Sequence, residues 1–329
     1  KEIVWLVNLM NKNDKRSQIK ISDIFEKNGT FKKGGKQLLL QKTTGYVSFV
    51  KGNNPYIFPY RIYPIQFDKS NSSINVYKQT SYPKTDIFGN KISAPIKYID
   101  VFLNHINDYQ YDAYKHICDQ ITISEKDVKQ NGYTTTLQYI YALNMVYPIK
   151  DMRSCNYQHL IGREGLERIT THEKTLVNSV EIKYNYNYVP EIEKQFGELF
   201  SEKEIGKYSQ KISQVCKHIK KGEGITLIYS QYIDGGLIPM ALALESMGYS
   251  RYGTKYNLLK SNKENDKTKK YAMITGDNRY SLNNELYLKT LTDDDNKDGE
   301  KIKVVLISKT GAEGLDFKFI RQVHILEPW

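Results

Sequence analysis

The sequence predicts an α/β protein whose C-terminal part is a doubly wound parallel sheet with helices on both faces, preceded by an irregular α+β connecting region. Three observations lead there. From Glu191 onward, short apolar runs alternate with segments of helical spacing. That order implies parallel strands joined by right-handed crossovers. The carboxyl ends of three of those runs are polar, which is where open parallel sheets place their ligands.

Taken in order, residues 1–10 read as a short apolar helix. Residues 11–52 are polar and carry Lys27, Lys32, Lys33, Lys36 and Lys42 around Gly34-Gly35. A solvated loop is the plainer reading, and a phosphate-contacting basic patch is the functional one. GYVSFVKG and NPYIFPYRIYPIQF are aromatic and strand-like. Pro55, Pro59 and Pro64 confine them to edge strands or extended connections. Residues 68–95 form a polar connection. IKYIDVFLNHI alternates as a strand would, through Ile99, Phe102, Leu103 and Ile106, and YQYDAYKHICDQI then takes helical spacing. TLQYIYALNMVYP is a further helix, closed by Pro148. Residues 149–190 show no clear periodicity and include the tyrosine-rich YNYNYVP.

Beyond them, Tyr208, Ile212, Val215, Cys216 and Ile219 form the apolar face of a helix ended by Gly222 and Gly224. ITLIYSQY is a buried strand, and GGLIPMALALESMG is a helix with Gly248 at its C-terminal end. YAMITG is a second strand, followed by a helix around residues 283–289. TDDDNKDGE is a solvated acidic loop with no metal site. IKVVLIS and QVHILEP are the third and fourth strands, both expected in the core.

Composition narrows the function. The 329 residues allow two or more domains, and a net charge of +11 is compatible with a polyanionic partner. Cys118, Cys155 and Cys216 form no C-x-x-C pair, so a reducing intracellular compartment is the simplest expectation. No apolar run is long enough to span a bilayer, so no membrane partner is expected.

The polar strand ends are Tyr229-Ser230-Gln231, Thr275-Gly276-Asp277 and the segment from Ser308 to Asp316. Gly311 and Gly314 permit close backbone approach and left-handed backbone, and N–H groups exposed in such a turn can cradle a phosphate. The phosphate-binding pattern G-x-x-x-x-G-K-[ST] is absent, and no apolar strand ends in Asp-Glu. QHLIGREGLER approaches the Q-x-x-G-R-x-x-R arginine-finger element, but an extra residue precedes Gly162-Arg163, so Arg163 reads as part of a basic surface turn.

The order of these features resembles a known family. ITLIYSQYIDGGLIPMALALESMGY resembles helicase motif IV and its helix, YAMITGD the following strand, and VVLISKTGAEGLDFKFIRQVHILEPW motif V with its extension. The whole is similar to the second RecA-like lobe of superfamily 2 helicases, on the Swi2/Snf2-like side. GYVSFVKGNNPYIFPYRIYP and the C-terminal stretch resemble helicases of nucleocytoplasmic large DNA viruses, related to the poxvirus early transcription factor small subunit and nucleoside triphosphatase I.

The resemblance implies residues 1–94 as an inter-lobe connecting region and residues 95–329 as the second lobe, with an insertion around 149–190. It implies that Gly311, Glu313, Gly314 and Asp316 face the nucleotide cleft. Ser230, Gln231, Thr275, Gly276, Ser308, Lys309 and Thr310 would approach nucleic acid. The intact enzyme would use ATP and Mg2+ and would act in viral transcription. Its expected partners are nucleic acid, DNA ahead of RNA, an N-terminal RecA-like lobe and a viral RNA polymerase, in the virion or host cytoplasm. The family's Walker A, Walker B and motif III would precede Lys1 and its motif VI would follow Trp329, so this chain alone is expected to bind no nucleotide and to be inactive. A catalytically dead RecA-like module that binds nucleic acid or protein in a transcription complex is the alternative. A Rossmann-type enzyme fits less well, because its G-x-G-x-x-G turn should follow the first strand.

Overall fold

The computed structural model describes residues 2–26, 28–47, 61–86, 90–94, 96, 99–121, 136–177, 181–260, 269–312 and 314–327. The chain divides into two compact units, Lys1–Tyr63 and Pro64–Trp329.

In the first unit the expected N-terminal helix is Glu2–Asn13. Val4 and Val7 pack with Ile19 and Ile24 in a small core. Asn8 clamps the returning chain: its Nδ2 donates to the Ile19 carbonyl at 2.7 Å and its Oδ1 accepts the Ile19 N–H at 2.9 Å. The lysine-rich segment is more ordered than a loop, because Gly35–Thr43 is a helix that sets Leu38 and Leu39 against this core. Three consecutive leucines carry no helical period, which hid it. Lys33 and Lys36 are exposed, whereas Lys42 donates to the Ser17 hydroxyl at 2.6 Å. Lys27 and the aromatic run 48–60 lie outside the described residues.

The second unit opens differently from expectation. Pro64–Phe67 is a helical turn, and Ser73–Gln79 is a helix inside the supposed polar connection. Residues 99–107 form no strand. They make one isolated bridge, between Phe102 and Ser72. The reason is Asp100, a buried carboxylate that accepts the Ile65 N–H at 2.7 Å and the Ser72 and Ser73 hydroxyls at 2.8 and 3.2 Å. The segment clamps a neighbouring loop instead of pairing into a sheet.

Helices follow at Asp108–Gln120, N-capped by Asn107, and at 136–144, which stops four residues before Pro148. The region without clear periodicity is ordered. Gly162–Ile169 is a helix leading into an antiparallel hairpin, β1 (Thr170–Val177) and β2 (Glu181–Tyr188), with Thr170 opposite Tyr188. The tyrosine-rich run is therefore a strand with its tyrosines at alternate positions, and Tyr186 reaches the main core. The intervening asparagines weakened that signal.

The main sheet holds β3 (Ile225–Tyr229), β4 (Ser250–Arg251), β5 (Lys270–Ile274), β6 (Val304–Ile307) and β7 (Ile320–Ile325). Their spatial order is β4-β5-β6-β3-β7, and every pair is parallel. Side chains alternate between two cores. Ile228, Tyr271, Met273, Val304 and Leu306 meet the Gln210–Lys221 and Ile238–Ser246 helices. Ile225, Ala272, Ile274, Val305 and Ile307 meet Tyr287 and Leu291 of the Asn284–Thr292 helix. This is the RecA-like α/β arrangement, with the hairpin as an additional small sheet. Two details differ from expectation. β4, two residues long, was too short to read. β7 lies at the sheet's edge, where Val323 and Ile325 are 60% and 54% exposed, so only one of the two C-terminal apolar runs is a core strand. No helix of the described residues is long and apolar enough to cross a membrane.

Two ionisable features, one buried and one half-buried, anchor this unit. Glu245, wholly enclosed, accepts the Leu258 N–H at 2.8 Å, the Leu259 N–H at 2.5 Å and the Tyr271 hydroxyl at 2.5 Å. Burial pushes its pKa up to about 7, opposed by these bonds. Replacing Glu245 by Ala should strand three donors and cost about 3 kcal/mol, read as a lower urea midpoint. Separately, His324 stacks on His218 at 5.8 Å, and Phe102 meets the His218 ring edge-on at 5.2 Å. Burial, then the neighbouring His218, holds the His324 pKa down to about 4. The unfolded chain therefore binds this proton more readily. Stability from His324 should be intact above the ordinary histidine value of 6.5 and be lost as pH falls toward about 4. A His324→Phe variant should flatten the stability curve across that window in pH-dependent thermal melts.

Candidate functional site

Parallel pairing brings the carboxyl ends of β3, β5 and β6 to one edge. The turn after β6 is locked to β5. Ser308 N donates to the Ile274 carbonyl at 3.1 Å, and Ser308 Oγ accepts the Gly311 N–H at 3.3 Å. Gly311 has no room for a side chain, since a Cβ there would lie 2.3 Å from the Ile274 carbonyl oxygen. Gly276 abuts Thr310, with the equivalent distance to Thr310 Cγ2 at 2.8 Å. Gly314 is needed for its backbone, φ 74°, with open space around it. Thus Thr275-Gly276 and Ser308–Gly311 form one contiguous surface. Lys309 and Thr310 are exposed on it, and Asp316 is exposed farther along the chain. Glu313 lies outside the described residues.

The hydroxyls predicted to touch a ligand are mostly turned inward. Ser230, Thr275 and Ser308 are 0%, 2% and 3% exposed. Thr275 Oγ1 lies 2.8 Å from Ser281 Oγ and accepts the Asp277 N–H at 3.1 Å, closing its own turn. These hydroxyls hold the loops in shape, and the exposed neighbours are available for contact.

Behind Ser230 and Gln231 lies a polar network that sequence reasoning missed. Glu327, 7% exposed, accepts the Ser230 hydroxyl at 2.8 Å and the Gln231 N–H at 3.0 Å, and Asn144 Nδ2 donates to the same carboxylate. Asn144 Nδ2 also donates to the Gly235 carbonyl at 3.1 Å. Lys211 Nζ donates to Asn144 Oδ1 and to the Leu326 carbonyl, both at 2.7 Å. Burial lowers the Lys211 pKa to about 8, and the Glu327 charge opposes that shift. The loop following β3 is pressed tight: a Cβ on Gly235 would sit 2.3 Å from the Tyr141 ring, and one on Gly236 2.1 Å from Ser230 Oγ. The one available signal was an acidic residue placed just beyond the apolar run of β7.

A pocket of about 250 Å³ lies beside this edge, lined by Arg163, Leu166, Glu167, His172, Tyr186, Asp234, Arg279 and Tyr280. Arg163 stands on the first turn of a helix, not in a surface turn, and pairs with Glu167 at 2.7 Å. Arg279 grips Asp277 through Nε at 2.9 Å to both carboxylate oxygens. Among the described residues no group of three His, Cys, Asp or Glu side chains could hold a metal ion.

Removal of the Glu327 carboxylate tests the network. Glu327→Ala removes the acceptor shared by the Ser230 hydroxyl, the Gln231 N–H and the Asn144 amide, and with it the counter-charge of Lys211. A loss of about 3 kcal/mol is expected by denaturant titration, with Glu327→Gln costing less.

No protein-family model matches the chain. It is 35% identical to a termination factor NPH-I homologue of African swine fever virus, over 37% of this chain and 21% of that protein. It is 22% identical to a protein of Acanthamoeba polyphaga mimivirus named as an ATP-dependent RNA helicase, over 87% of this chain and 36% of that protein. A helicase of invertebrate iridescent virus 3 is 28% identical over 38% of the chain and 12% of its own length. The chain therefore spans between 12% and 36% of the length of these relatives. Over these stretches it is similar to proteins of large DNA viruses that are named as helicases and as termination-factor homologues.

Proposed function

We propose that this chain is the second RecA-like lobe of an ATP-dependent helicase or translocase that acts on nucleic acid in viral transcription. The observation that carries this reading is the joining of the β5 and β6 strand ends into one surface, with Gly311 against Ile274 and Gly276 against Thr310. Open parallel sheets take ligands at that edge. The names of the relatives support it, since they combine helicase and termination factor.

In this reading residues 1–94 connect the lobes and residues 95–329 form the second lobe, with 149–190 inserted into it. Gly311, Gly314 and Asp316 face the nucleotide cleft, with Asp316 turned toward ribose or toward arginines of the other lobe. Lys309 and Thr310 contact the nucleic acid backbone directly, as does the exposed face of Gly276. Ser230, Gln231, Thr275 and Ser308 act by holding the loops that present them. ATP and Mg2+ supply the driving hydrolysis in the intact enzyme. This chain has no phosphate-cradling G-x-x-x-x-G-K-[ST] of its own, so its residues form one wall of the cleft.

The intact protein should show ATPase activity stimulated by nucleic acid, and this chain alone should show none. Robust turnover by the isolated chain would overturn the second-lobe reading. Stimulation by DNA against RNA identifies the track. Lys309→Ala should weaken binding across sequences alike and lower the slope of log K against log salt by about 1.

A further inference from the structure

The pocket beside the strand ends is assembled from separate parts of the unit. Arg163, Leu166 and Glu167 come from the Gly162–Ile169 helix, and His172 and Tyr186 from the hairpin. Asp234 comes from the turn after β3, and Arg279 and Tyr280 from the segment after β5. The hairpin therefore builds a wall that the five-stranded sheet alone does not have.

Its chemistry is mixed rather than cationic. Arg163 and Arg279 are balanced by Glu167 and Asp234 within the lining, and Asp277 holds Arg279 from outside it. A bare phosphate finds no net positive charge there. Asp234 is the unspent group. It is half-buried, feels both arginines electrostatically, and accepts no hydrogen bond among the described residues. Nearby, the Tyr147 hydroxyl is fully buried, has no partner, and lies within electrostatic reach of Asp234. Asp234 thus keeps its acceptor capacity for a ligand that brings an N–H. Arg163, whose Nε pairs with Glu167, carries further N–H groups on its two terminal nitrogens, and these suit a carbonyl acceptor on the same ligand. Leu166 and the rings of Tyr186 and Tyr280 offer apolar wall, and the Arg279 guanidinium lies 5.4 Å from the Tyr280 ring centre.

A planar group with an N–H beside one or more carbonyls, on a chain that passes the strand ends, is a keto nucleobase. We infer that this pocket receives one unstacked keto base, guanine, thymine or uracil, with Asp234 accepting its ring N–H and Arg163 donating to its carbonyl oxygen. Adenine and cytosine lack that ring N–H; their amino group reaches Asp234 only in a shifted register, which brings a ring nitrogen rather than the adjoining carbonyl toward Arg163. The volume of about 250 Å³ admits a single base rather than a stacked pair. The inference rests on the nucleic-acid reading above, and it adds a base preference to a site otherwise expected to read only backbone.

The test is equilibrium binding of the full-length protein to fluorescent homopolymers dT, dC and dA and the ribo-forms U, C and A, across a salt series. The expected result is roughly tenfold tighter binding to dT or U than to dC or C, with the ratio nearly independent of salt. Asp234→Asn, close to isosteric, should abolish that ratio while leaving the salt slope unchanged and the melting temperature within a few degrees. Salt-sensitive binding with no base preference overturns the pocket inference alone. A preference that survives Asp234→Asn also overturns it. Absence of binding to every oligonucleotide overturns the nucleic-acid reading, and the pocket's role with it. The deoxy and ribo arms identify which sugar accompanies the base.

Discussion

A carboxylate sealed inside the carboxyl edge of the sheet holds the candidate site together. Glu327 lies just past β7, yet its bonds reach the end of β3 and the last residue of the 136–144 helix. Lys211, from a helix packed under the sheet, completes the cluster. Desolvating such groups is unfavourable, and the site tolerates it because nearly every lone pair and proton has a partner. The result is a fixed geometry for the loop that follows β3. The backbone contacts between β5 and β6 fix the adjacent loop with no charge at all.

Much of the fold was legible in the sequence, and what failed did so for identifiable reasons. β3, β5 and β6 are dense apolar runs with both faces covered, so hydrophobicity alone marked them. The Gln210–Lys221 helix kept its apolar period and was equally plain. Residues 99–107 show the limit of periodicity. Their apolar alternation is real, but Asp100 draws its partners from the preceding segment and no strand lies alongside. In β7 the apolar letters could not tell a central strand from an edge, because strand order depends on contacts distant in sequence.

The site was legible in outline and not in detail. Polar residues at strand ends located the right edge of the sheet. Which hydroxyls point outward was not readable, since Ser230, Thr275 and Ser308 satisfy local backbone groups. The Glu327–Asn144–Lys211 cluster joins positions separated by 67 and 183 residues, a pairing that spacing along one chain does not reveal. Arg163 was set aside for imperfect spacing to a motif, whereas its place in the structure follows from the helix that carries it beside the hairpin.

The two glycines after β3 have a mechanical consequence. Gly235 lies flush against the Tyr141 ring and Gly236 against Ser230, with no space for even one added carbon. Parts seated this closely have no play between them. Close-packed interiors resist compression and tend to shift between discrete arrangements rather than deform smoothly. A displacement of the 136–144 helix at Tyr141 therefore meets the loop after β3 with no gap to take it up. The loop behaves less like a flexible tether than like a rigid coupling between the helix and the strand end.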